Sequence, residues 1–235
     1  MTFYTEMWEK LEKKYEGFSP YVEEYKKEAN MKEAIFLGRG GQGVWTMGEL
    51  FGALMVEIGK YTKVIFIMTG ERRAAITRSF VRYSDKPISF PNSYIYMPDD
   101  VVVNESSLLK LRSIISDYDV PALLGKLREN NFLIINTTKS PKELGLNNCR
   151  ARIVTIDATS IALKTGLFER DLHTNTTMLG TYLAVRKLVE FDKLERMIPT
   201  YHNPRSHMIF KGLLGGKNIE AARLGYENFK VWEEQ

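Results

Sequence analysis

The chain has 235 residues but only one cysteine, three histidines and no apolar run long enough to span a bilayer. Cys149 stands alone, which excludes an internal disulfide and a CxxC redox pair. It also excludes a cysteine-ligated iron–sulfur cluster built from this chain by itself. His202 and His207 in "YHNPRSH" have the spacing of a metal pair, but no second pair completes a tetrahedral set. That segment reads as a polar loop stiffened by Pro204, and no metal site is expected. Charge of one sign is also scarce: 33 basic against 29 acidic side chains leave a net +4. This is too small and too evenly spread to indicate nucleic acid. The opening "MTFYTEMWEKLEKKYEG" lacks the apolar core of a secretory signal. A cytoplasmic protein is expected, with neither membrane nor nucleic acid as a partner.

What is present suits one soluble domain. The hydrophobic and charged fractions, 44% and 26%, are ordinary for a globular chain of this length. Residues 1–30 read as a charged helical extension, with Met7, Leu11, Tyr15 and Phe18 at helical spacing. It is either an amphipathic helix packed on its own domain or an arm that grips a partner. Residues 31–235 form the domain proper. Strand candidates at Ala34–Leu37, Lys63–Met68, Arg78–Tyr83, Asp99–Asn104, Asn131–Asn136 and Ala151–Asp157 are interspersed with helical patterns at Val44–Gly59, Thr174–Glu190 and Asn218–Trp232. The alternation predicts an α/β fold, a mostly parallel sheet with helices on both faces in a Rossmann-like three-layer arrangement.

Between the first strand and first helix lies "GRGGQGV", where Gly38, Gly40 and Gly43 fit G-x-G-x-x-G. Such glycines permit unusual backbone angles and close approach, and the N–H groups opening the helix suit an anion. A dinucleotide site also needs an acid about 20 positions on, at the end of the second strand. The acid nearest that end is Glu71, 71 − 38 = 33 residues away, while Glu57 sits in the first helix. The dinucleotide reading fails this second test. Glu71, Arg72 and Arg73 follow the second strand, on the edge where α/β sheets hold ligands. The arginines suit phosphate or carboxylate, or equally an ion pair at an interface or open solvent. Arg78 and Arg82 share a strand face with Phe80 between them, which hints at a surface covered by another subunit. Cys149 beside Arg150 reads as structural, and "KGLLGGK" (Lys211–Lys217) as a surface loop.

In order along the chain, "GRGGQGV", "GERRAA…RSFVRYSDKPI", "PDDVVV", "LIINTT", "VTIDATSIAL" and "NTTMLGTYLAV" resemble the gamma subunit of the pyruvate and 2-oxoacid:ferredoxin oxidoreductases. The resemblance covers about residues 32–188 and continues into "NIEAARLGYENFK". It implies a subunit that packs on alpha and beta catalytic chains, with delta as a further partner and ferredoxin reached through the complex. It further implies that thiamine diphosphate, Mg2+ and [4Fe-4S] clusters belong to partner chains, that coenzyme A is used by the complex, and that this chain alone binds no cofactor and is not catalytic. Matching letters carry over Gly38, Arg39, Gly40, Gly41, Gln42, Gly43, Glu71, Arg72, Arg73, Asn175 and Thr176 as cofactor-binding or subunit-interface residues. The Asn175–Thr176 pair also reads simply as a helix cap. The family pattern has Gly-Pro before "ERR" and Gly after it, where this chain has Thr69-Gly70 and Ala74. Trp45 and Met47 replace smaller residues, so the particular 2-oxoacid is left open. The alternative reading is a stand-alone Rossmann-type nucleotide-binding oxidoreductase that uses the Gly38–Gly43 loop itself.

Overall fold

The structure is a computed structural model that describes residues 19–68, 75–89, 94–111, 119–168, 172–201 and 213–232. A helix, α1 (Ser19–Glu28), leads into β1 (Lys32–Arg39), α2 (Val44–Glu57), β2 (Tyr61–Met68) and β3 (Ile76–Ser84). Then follow β4 (Asp100–Val103), a 3-10 turn at Ser106–Lys110, α3 (Val120–Leu124), β5 (Phe132–Asn136), α4 (Pro141–Leu144) and β6 (Arg152–Ile156). The chain continues through α5 (Ala158–Lys164), α6 (Asn175–Arg186), α7 (Phe191–Thr200), α8 (Leu213–Glu227) and β7 (Lys230–Trp232).

The strands form one sheet in the order β2-β3-β1-β4-β5-β6-β7. Its centre is parallel, β1 to β4 to β5 to β6, and each flank is antiparallel. The α/β class and parallel core agree with the sequence pattern. Three features differ from it. Helix α8 begins at Leu213, inside the Lys211–Lys217 stretch read as a surface loop. β3 inserts antiparallel between β1 and β2, and the helical pattern expected over Asn218–Trp232 ends in strand β7. Trp232 turns its indole N–H to Thr155 Oγ1, 2.9 Å away, which fastens this last strand to β6.

Period-two alternation along the central strands divides the core between the two faces. Phe36, Val102, Ile134 and Val154 face α2 and α6, where Phe36, Phe51 and Tyr182 meet ring to ring at 5.4 to 5.8 Å. Ile35, Leu37, Val101, Val103, Leu133 and Ile135 face Leu108, Leu123 and Leu124 on the opposite side. Asp100 is fully buried at the start of β4. It accepts hydrogen bonds from Tyr182, Arg186 and the Phe132 N–H, so its charge is paired and joins α6 to the sheet.

The extension residues Met7, Leu11, Tyr15 and Phe18 lie outside the described residues. Helix α1, just after them, is tied to the domain by charge. Lys26 Nζ lies 2.9 Å from Asp99 and 3.3 Å from Glu33, and Glu33 takes Arg82 Nε at 2.6 Å. Arg82 and Arg78 are buried at 4% and 6% exposure by this chain's own residues. The strand face they share needs no second subunit to cover it, contrary to the sequence-based expectation. Glu33 supplies the Arg82 counter-charge that the sequence pattern did not reveal, and helix α1 adds Lys26 as a second cation on the same carboxylate.

Candidate functional site

Strand β1 runs out at Arg39, and the next four residues turn the chain into α2. Gly41 and Gly43 have φ of 97° and 75°, in the left-handed region where a side chain is strained. The Gly40 N–H donates to Ala75 O at 2.7 Å, and Gln42 Oε1 accepts from the Arg39 N–H at 2.8 Å. These bonds hold the turn against the start of β3. A Cβ at Gly38 would sit 2.4 Å from Val44 Cγ2, and one at Gly43 would sit 2.6 Å from Asn175 Nδ2. Glycine is therefore demanded by space as well as by angle.

Two helix starts converge on this loop. Helix α2 has Gly43 at its N-cap and α6 has Thr174, and neither receives a side-chain cap. With neither first turn closed by an N-cap side chain, the positive end of each helix favours an anionic group. Asn175 opens α6 beside Gly43. Thr176 is buried and donates instead to Asn218 Oδ1 at 3.0 Å, linking α6 to α8.

The loop lies where the direction of the fold reverses. After β1 the chain crosses to the face of α2, and after β4 it crosses to the opposite face through Leu108 and Leu109. Neighbouring strands that part in this way open a crevice at their carboxyl ends, the usual ligand position of open α/β sheets. Arg39 and Glu105 span it: Arg39 Nε is 3.0 Å from each Glu105 carboxylate oxygen. Gln42 Nε2 adds a bond to the same carboxylate at 3.2 Å, and Ser107 hydroxyl donates to it as well. Partial burial alone would push the Glu105 carboxyl up, but the bonds from Ser107, Arg39 and Gln42 outweigh this and hold it below the usual carboxylate range.

Asn104 precedes Glu105 and is wholly buried. Its N–H donates to Leu37 O at 2.8 Å, and its carbonyl accepts from Asn136 Nδ2 at 2.9 Å. Asn136 in turn bonds Thr159 on α5. The structure thus brings Gly38, Arg39, Gly40, Gly41, Gln42, Gly43 and Asn175 to one place, with Thr176 just behind. Glu71, Arg72, Arg73, His202 and His207 lie outside the described residues. Asn104 and Glu105 were missed in the sequence, although their position directly after "DDVVV" marks a strand's carboxyl end. Only the strand order identifies that end as the switch point.

No group of three or more His, Cys, Asp or Glu among the described residues could hold a metal ion. Cys149 is half-buried, and burial pushes its thiol up, so it is not a reactive thiolate despite Arg150 beside it. Among the described residues no helix is long and apolar enough to cross a membrane.

Similar proteins cover most of the chain. It is 36% identical over 200 residues to pyruvate synthase subunit PorC of Methanothermobacter marburgensis, covering 85% of this chain and 98% of that protein. It is 35% identical to the pyruvate/ketoisovalerate oxidoreductases common subunit gamma of Pyrococcus abyssi, covering 86% of this chain and all of the relative. The crystal structure of pyruvate oxidoreductase subunit PORC from Thermotoga maritima superposes with a TM-score of 0.68 at 28% identity, over 86% of this chain and 99% of that one. Residues 33–228 match the sequence profile of the pyruvate ferredoxin/flavodoxin oxidoreductases, and the chain belongs to that family.

Proposed function

We infer that this chain is the gamma subunit of a multi-subunit 2-oxoacid:ferredoxin oxidoreductase. The enzyme oxidatively decarboxylates pyruvate or another 2-oxoacid to acyl-CoA and CO2, or runs the reverse synthesis. The single observation that carries this reading is the end-to-end match to relatives that are themselves named as subunits. The stand-alone nucleotide-binding reading gains no support from those relatives, and the acid a dinucleotide ribose needs is missing at the right spacing.

One cysteine does not fit an iron–sulfur cluster, and no GDG motif for thiamine diphosphate occurs in the sequence. In this reading those groups sit on alpha, beta and delta partners, and ferredoxin meets the complex there. The part of this chain is to bind and orient. Gly41 and Gly43 of the loop, the two uncapped helix starts and Asn175 offer backbone N–H groups and an amide to the coenzyme A side of the active site or to the adjoining chain. Arg39 and Glu105 fix the width of the crevice. Glu71, Arg72 and Arg73 are further candidates for such a contact by their match to the family motif.

The test is native purification through a mild tag on this chain, followed by particle mass, iron and thiamine content. A particle several times 27.1 kDa that carries iron and thiamine and reduces ferredoxin with a 2-oxoacid is expected. A colourless particle of one or two copies with bound nucleotide overturns the reading.

A further inference from the structure

Buried side-chain polar atoms without a hydrogen-bond partner are rare in folded proteins. In this chain several of them gather around one loop. Gly38 is flanked in the sheet by Thr77 of β3, its register partner. On its other side is Asn104, whose Cβ lies 3.3 Å from where a Cβ of residue 38 would be. Asn175 abuts Gly43 in the same way. Thr77 Oγ1, both carboxamide atoms of Asn104 and Asn175 Oδ1 have no partner. Thr77, Asn104 and Asn175 are nevertheless 3%, 0% and 4% exposed.

Asn104 is the most telling of the three. Its backbone is held on both sides, by Leu37 and by Asn136, so its side chain stays beneath the loop. For the fold alone an apolar residue of similar size would serve better, because it would strand no donor or acceptor. Above it Gly38 is held in β1 and the Gly40 N–H in its bond to Ala75 O, which leaves the Gly41 and Gly43 N–H groups for a partner.

We propose that Asn104 is a positioning residue: with Thr77 and Asn175, its carboxamide holds the Gly38–Gly43 loop in the conformation used by the assembled enzyme. It acts through the loop backbone and touches no substrate. The proposal rests on the reading of this chain as a gamma subunit.

The experiment uses the whole complex carrying Asn104→Leu, with Thr77→Val as a second, milder variant. For Asn104→Leu we expect unchanged subunit composition, a thermal midpoint equal to or above wild type, and kcat/KM for ferredoxin reduction lowered at least about tenfold. The loss falls on KM for coenzyme A, while KM for the 2-oxoacid stays within about twofold of wild type. Wild-type kinetics in Asn104→Leu overturn the proposal. So does a lower midpoint or a dissociated complex, which assigns Asn104 to the fold alone. Should Asn104→Leu not fold, Thr77→Val decides: an unshifted KM for coenzyme A overturns the proposal, and a raised one supports it. An inactive wild-type complex contradicts the gamma-subunit reading instead, so the two failures are distinguishable.

Discussion

Arg39 and Glu105 meet across the crevice between β1 and β4, with the guanidinium Nε equidistant from both carboxylate oxygens. Each side chain is about one-third exposed, so the pair contributes little to global stability, on the order of 1 kcal/mol or less. Its consequence is local. Glu105→Gln is expected to shift the thermal midpoint by no more than a few degrees while lowering activity of the complex, because the crevice is no longer braced. A loss of activity that merely follows a large loss of stability would contradict this.

The same pair has a pH signature. Glu105 titrates below its ordinary value, so its stabilising contribution is present above about pH 4.3 and is lost as pH falls through the lowered native value. Denaturant unfolding of wild type and Glu105→Gln across acid pH checks this. The difference between them should be constant near neutrality and vanish only on acidification.

Glu33 serves two cations at once, Lys26 and Arg82, and all three are buried. Glu33→Ala leaves both without this partner and is expected to cost about 3–5 kcal/mol. Replacing Glu33, Lys26 and Arg82 together by apolar residues should recover much of that loss. Urea unfolding of the single and triple variants measures it.

Helices α6 and α8 touch backbone to backbone. A Cβ at Gly180 would lie 2.2 Å from the Ala222 carbonyl oxygen, and one at Gly225 would lie 2.1 Å from the Thr177 carbonyl oxygen. Gly180→Ala must therefore push the helices apart, at an expected cost of about 1–3 kcal/mol or more. Since α6 also carries Asn175, hydrogen exchange should rise at the helix start as well as at the seam.

The sequence made the central strands and the glycine loop legible for one physical reason. Short β-branched runs such as "DDVVV" and "FLIIN" are buried on both faces and carry their own signal. Strand β7 was not legible, because three residues at a sheet edge have no period of their own and follow directly on a helix. The insertion of β3 between β1 and β2 is a long-range choice that local pattern cannot express. The same limit concealed the partners of Arg82 and the place of Glu105. Glu33 is 49 residues from Arg82, and Glu105 is 66 from Arg39. Charges so far apart in sequence become pairs only through strand order.

The central claim is that the Gly38–Gly43 loop is a working surface of an assembly. Its most direct test is hydrogen exchange at the loop amides, measured in this chain alone and in the purified complex. The account predicts that exchange at Gly41 and Gly43 slows markedly on assembly, while the β1 core and the Gly40 amide, already bonded to Ala75 O, are protected in both. Equal loop exchange in the two samples would contradict it and return the loop to a private role in this chain.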